Sequence, residues 1–141
     1  MRLEQPEVHR LVNPETLGRQ VGRRVESLVI STARFEEDAV ATIMGVGLTM
    51  VGDGAFVFGC AGDGSVSIAK GHIEAMPIIT GVVEASLLRC VRFEGGVLED
   101  VQRQGAQLRL KSSQGVLDLV NYGDELQLWL DDERLDLTQH C

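Results

Sequence analysis

The 141-residue chain has only three prolines, three cysteines and 13 basic residues, and each shortage narrows what it can be. Cys60, Cys90 and Cys141 are odd in number and show no CxxC spacing. That is in keeping with free thiols, a reducing compartment and a cytoplasmic location rather than a disulfide framework. Thirteen Lys and Arg against 21 Asp and Glu leave a net charge of -8. This argues against nonspecific binding to nucleic acid or to an anionic membrane, because both need clustered cations; a basic partner is favoured instead. The longest weakly polar stretch, Ala39 to Ala61, is broken by Gly45, Gly47, Gly52, Asp53, Gly54 and Gly59, which rules out a membrane helix. Met1 to Arg10 has no apolar h-region and no small-residue cleavage site, so no secretory signal is read there.

What the chain does have is glycine. Sixteen glycines interleaved with Val, Leu and Ile fit tight turns between short strands better than a helix bundle. With 44% apolar and 24% charged residues the composition is that of a folded protein long enough to bury a core without metal or disulfide staples. The expected architecture is α+β and mostly β: one domain over 1–141, antiparallel meanders with one N-terminal helix, a flexible arm at 1–12 and an acidic tail at 131–141. Asn13-Pro14-Glu15 is a helix start, with Asn13 as cap and Pro14 pre-set for the first turn, and the helix is expected to run to about Arg23. Gly18 and Gly22 weaken it by about 1 kcal/mol each relative to Ala. Val25 to Thr32 reads as a strand, and Gly45 to Ala69 as three strands joined by Gly52-Asp53-Gly54 and Gly62-Asp63-Gly64. Lys70 to Gly81 is the expected crossover between two halves. Beyond it, Leu87 to Phe93, Val97 to Arg103, Ala106 to Leu110, Val116 to Val120 and Glu125 to Leu130 recur at about ten residues with glycine-bearing separators, the pattern of a second meander. Gly22 to Leu28 and Gly96 to Val101 form a faint internal echo, each a glycine ahead of a spaced apolar strand.

Few residues point to chemistry. Each Gly-Asp-Gly turn offers one carboxylate, too few for calcium, and leads into a strand rather than the helix a phosphate loop needs. His9, His72 and His140 have no shared metal spacing, so neither cofactor nor metal is expected. His72 and Glu74 would share a strand face and could form an acid/base pair. Cys60 and Cys90 lie in apolar strands; Cys90 has Arg92 on its own face, the one arrangement that could favour a thiolate. The strongest surface feature lies late in the chain. From Glu94 onward the net charge is -6, against -2 before it. Trp129 falls on the wet face of its strand, near Tyr122 and ahead of Asp131, Asp132, Glu133 and Asp136, as a partner-binding anchor would among steering carboxylates.

Three pieces carry a resemblance: Gly96-Val97-Leu98-Glu99-Asp100-Val101, then Leu108 through Leu119, then Glu125-Leu126-Gln127-Leu128-Trp129. Together they are similar to small bacterial β-rich domains of uncharacterised or immunity-protein type. The resemblance implies a non-enzymatic protein that binds a partner, and it carries over no functional residues. The reading is therefore a protein-binding domain, with an immunity-type inhibitor of a basic partner as its most concrete form. The alternative is a small-molecule-binding or enzymatic β-domain with a pocket between the two meanders, where Cys90, His72 and Glu74 would act. Self-association through an open edge strand is a third expectation.

Overall fold

A computed structural model describes residues 10–135 except Asp53, Ala75, Met76 and Ile78, and only the backbone of Arg10 and Leu11. Asn13 caps the single helix α1 (Pro14–Gly18) as its spacing dictates, accepting from the Thr16 N–H at 3.0 Å. The helix stops at Gly18, short of the expected Arg23. Leu17 is fully buried, while Val21, the next residue of the expected apolar face, is 43% exposed. Gly22 takes φ 93° and donates to the Leu98 carbonyl at 2.7 Å, which draws the chain out of the helix and into the sheet.

Among the described residues the other elements are a 3-10 turn at Val91–Phe93 and the strands β1 (Arg10–Leu11), β2 (Val25–Phe35), β3 (Thr42–Met50), β4 (Ala55–Cys60), β5 (Val66–Lys70), β6 (Val82–Arg89), β7 (Leu98–Gln104), β8 (Gln107–Ser112), β9 (Gly115–Tyr122), β10 (Glu125–Leu130) and β11 (Glu133–Arg134). They form two antiparallel sheets, ordered β1-β5-β4-β3-β2-β6 and β11-β10-β9-β8-β7. The fold is mostly β, as the glycine-punctuated alternation predicts. Arg10–Leu11 of the expected arm and Glu133–Arg134 of the expected tail are strands of these sheets, and residues 1–9 and 136–141 lie outside the described residues.

Alternation decides which side chains meet between the sheets. Leu28, Ile30, Val46, Leu48, Phe56, Phe58, Val66 and Ile68 point inward from the first sheet, and Leu108, Leu110, Leu117, Leu119, Leu126, Leu128 and Leu130 from the second, closing one continuous core with Leu17 and Phe93. Burying each such side chain contributes about 1.5–3 kcal/mol. Polar clips tie the layers at one end. Asn121, nearly buried, donates to the carbonyls of Ser65 at 2.8 Å and Ala61 at 3.3 Å.

The second Gly-Asp-Gly turn is architectural. Gly64 adopts φ 88°, and Asp63 accepts from both the N–H and hydroxyl of Ser65 at 3.0 and 2.6 Å, bonds that pull its carboxyl below the usual range. In the first turn Gly52 and Gly54 take φ 85° and 94°, and Asp53 lies outside the described residues.

The crossover differs from expectation. It does not join the two halves but returns from β5 to β6 within the first sheet, passing β4, β3 and β2. Ile73 lies over the outer face, where Gly45 and Gly47 leave a notch: a Cβ on Gly47 would stand 2.6 Å from Ile73 Cγ2. Ser31 donates to the Glu74 carbonyl at 3.4 Å beside it. The strand expected to open the second meander is thus β6, starting at Val82 and paired to β2.

The candidate recognition face on the second sheet

Two-residue turns set the register of the second sheet. Gly123 and Asp124 both take left-handed φ, 58° and 66°, as do Asp131 and Asp132, 51° and 67°. Paired left-handed residues define the type I′ hairpin, whose twist matches that of its strands. From Tyr122↔Glu125 the pairing then runs to Trp129↔Asp118, and from Leu130↔Glu133 to Trp129↔Arg134. Adding Arg109↔Asp118 and Gln102↔Arg109 gives one cross-strand row on the outer face: Gln102, Arg109, Asp118, Trp129, Arg134.

The row is locked at its middle. Arg109 grips Asp118 with two bonds, Nε to Oδ1 at 2.8 Å and Nη2 to Oδ2 at 3.2 Å, the bidentate geometry that makes such pairs rigid. Although it points outward, Asp118 is only 5% exposed. The Asp118 hydrogen bond, then its charge, push the Arg109 guanidinium further up, and Asp132 adds to the field. Trp129 is half-buried next to this pair. Beside the row, Asp100, Gln102, Arg109, Lys111 and Val116 line an open depression of about 330 Å³. Its walls are charged or amide-bearing except for Val116, the chemistry of a wet contact surface rather than of an apolar ligand pocket.

The sequence-predicted residues fall out unevenly. Trp129, Asp131, Asp132 and Glu133 share one hairpin, with Asp132 and Glu133 exposed. Asp131 holds the hairpin itself, since its carboxylate accepts from the Val116 N–H at 2.9 Å and lies 3.9 Å from Arg92. Tyr122, 68% exposed, is on the same outer face but four residues along the strand from the row of Trp129, about 13 Å away. Asp136 lies outside the described residues. Trp129 is therefore flanked by Asp118 and Arg134 rather than ringed by carboxylates. Sequence reasoning passed over Arg109, Asp118, Gln102 and Arg134. The signal that finds them is turn length: two residues at Gly123-Asp124 set Asp118 opposite Trp129, two at Asp131-Asp132 set Arg134, and the two-residue turns Ser113-Gln114 and Gly105-Ala106 carry the row on to Arg109 and Gln102.

The residues of the pocket reading do not converge. Cys90 is fully buried in the core and disulfide-bonded, which removes it as a free thiol and corrects that expectation. His72 and Glu74 are exposed on the crossover, on the opposite side of the first sheet. Cys60 is free; burial, then the charges of Asp124 and Glu125, push its thiol up, away from nucleophilic thiolate. Among the described residues no group of three or more His, Cys, Asp or Glu is placed to hold a metal ion. No helix there is long and apolar enough to cross a membrane. Compared with family models, with curated proteins and with solved structures, the chain matches none of them.

Proposed function

We propose that the chain is a non-enzymatic protein-binding domain that engages a basic partner through the outer face of its second sheet. The observation that carries this is the row Gln102–Arg109–Asp118–Trp129–Arg134, in which a half-buried aromatic stands against a locked ion pair on a rigid sheet. Rigid aromatic anchors of this type lose little conformational freedom on binding and dominate interface energies. Asp132, exposed in the turn beyond the anchor and in no ion pair among the described residues, supplies steering charge for a cationic surface, and the exposed Glu133, paired with Leu130 on the other side of the hairpin, adds to the same field from the sheet edge. An immunity-type inhibitor that blocks a basic protein is the form this reading takes. The free Cys60 fits a cytoplasmic setting, and the Cys90 bridge fits an oxidising one.

The test is capture of partners from the source cell at low and high salt with the wild type, Trp129→Ala, and an Asp132→Asn/Glu133→Gln double variant. A basic protein held by the wild type at low salt, shed at high salt, and lost by Trp129→Ala is the expected result, with the double variant binding more slowly. Equal retention by the wild type and Trp129→Ala, or retention indifferent to salt, refutes it.

A further inference from the structure

Sheets end in edges, and the terminal strands of this molecule are guarded unequally. The free edge of β7 carries Glu99, Asp100, Gln102, Arg103 and Gln104 and a bulge near its start, the usual protection against strand pairing. The edge strand β6 is eight residues long and carries Val83, Ala85 and Leu87, with Val83 47% and Leu87 46% exposed. Its bulge sits at the Val82 end, leaving Ala85 to Arg89 regular.

The register shows which backbone groups are open. The Cys90 N–H donates to the Leu28 carbonyl at 2.7 Å, and the pairs Leu88↔Ile30, Ser86↔Thr32 and Glu84↔Arg34 follow in steps of two. Bonded and non-bonded pairs alternate along an antiparallel ladder. Ala85, Leu87 and Arg89 therefore turn their N–H and C=O groups away from β2, and no strand among the described residues meets them.

We propose that two copies of the chain pair antiparallel through β6, about a twofold axis at Ser86, joining their first sheets into one continuous sheet. In this register Ala85 lies opposite Leu87 of the second copy, and Leu87 opposite its Ala85, so the exposed apolar side chains cover one another. Charge selects this arrangement. The exposed acidic turn Glu36, Glu37 and Asp38 stands at the start of β6, where the Glu36 N–H donates to the Gly81 carbonyl at 2.7 Å. Arg89 and Arg92 stand at its end; each already has an acidic neighbour in its own chain, Glu94 at 2.6 Å and Asp131 at 3.9 Å, but their side chains remain 67% and 51% exposed and open to a further carboxylate. A twofold axis brings the acidic end of one copy to the arginines of the other, whereas parallel pairing would set acid against acid. The proposal is independent of the recognition face on the second sheet.

Two substitutions isolate the edge. Ala85→Pro removes an N–H that takes no part in the β2 ladder and blocks the approach of a second strand. Leu87→Lys places a charge on an exposed position of the new interface. Sedimentation of the wild type across a concentration series should give twice the monomer mass at the upper end, falling to monomer on dilution. Both variants should stay monomeric at that concentration and should share the wild type's thermal midpoint at dilutions where the wild type is monomeric too. If Ala85→Pro fails to fold, Leu87→Lys carries the comparison. Hydrogen exchange at the Ala85 and Leu87 amides should be slow in the concentrated wild type and fast in Leu87→Lys. A wild type that is monomeric throughout overturns the proposal, as does a dimer that survives both substitutions. A monomer with both amides protected overturns it too, because another segment of the same chain then covers the edge.

Discussion

Replacing Gly47 by alanine tests whether the crossover is seated on the first sheet by close contact or merely passes near it. Gly47 does not have a left-handed φ, so the backbone accepts an L side chain and only space is at issue. The new methyl would stand 2.6 Å from Ile73 Cγ2 and 2.8 Å from Ile73 Cβ. Carbon atoms rest at about 3.5–4.0 Å, so the crossover must retreat by about 1 Å. A β-branched side chain held at its own Cβ cannot simply rotate away. Overpacking of this type costs about 1–3 kcal/mol, and that is the expected loss. In an Ile73→Gly background both crowding atoms are gone. There the same Gly47→Ala change should turn favourable by about 0.5–1 kcal/mol, since alanine suits a strand interior better than glycine. Urea unfolding of the four proteins, with unchanged m-values, gives the coupling directly. Gly47→Ala being neutral or stabilising in the wild type, or costing the same in both backgrounds, would refute the contact.

Three further outcomes follow from single features. Asp132→Gly converts the β10–β11 turn to Asp-Gly, the preferred type I′ pair, and relieves φ 67° at an exposed residue; a gain of about 0.5–1 kcal/mol in urea unfolding is expected, and no gain would mean the turn is unstrained. Glu94 accepts both Arg89 Nε bonds, at 2.9 and 2.7 Å, and this pairing holds its carboxyl below the usual range. Its stabilisation is therefore complete above the unfolded value of about 4.3 and fades as pH falls through the lower folded value. The stability gap between wild type and Glu94→Gln should close on acidification; a gap constant with pH is the contrary result. Alkylation of the denatured protein, read by intact mass, should label fewer than three cysteines before reduction and three after. Three before reduction would show that the Cys90 thiol is open.

Much of the architecture was legible because strand signals are local. Period-2 alternation and glycine turns placed β4, β5 and β7 to β10 within a few residues, and β10 at its observed bounds. Helix length was not legible: whether Gly22 ends a helix depends on the Leu98 carbonyl that takes its N–H, 76 residues away. Sheet membership of β6 was equally hidden, since nothing in Val82–Arg89 says that its partner is β2 rather than β7. The recognition face was half legible. Trp129 stood out by residue type, but its neighbours depend on register, and register depends on two residues of turn. Until the turn is known to be Gly123-Asp124 alone, Asp118 cannot be set opposite Trp129, and the carboxylates that follow Trp129 in sequence stand in its place.

The faint echo between Gly22–Leu28 and Gly96–Val101 has a structural counterpart, because the two pieces meet. Arg24 and Val97 form an antiparallel bridge, framed by bonds from the Leu98 N–H to the Arg23 carbonyl at 2.9 Å and from the Val25 N–H to the Gly96 carbonyl at 2.7 Å. The β2–β5 meander and the β7–β10 meander thus begin against each other and run apart. What breaks the likeness is β6 with its crossover. It occupies the side of β2 along which β7 would otherwise continue, and so confines the bridge to the strand starts. It also lays Ile73 over the outer face of the first sheet, at the notch of Gly45 and Gly47. Among the described residues nothing crosses the outer face of the second sheet in the same way. There Arg109, Asp118 and Trp129 do for themselves what Ile73 does opposite: an ion pair and an indole cover the strands, and both remain within reach of a partner. The difference between the two meanders is what favours the second sheet as the proposed face for recognition and β6 as the proposed edge for pairing.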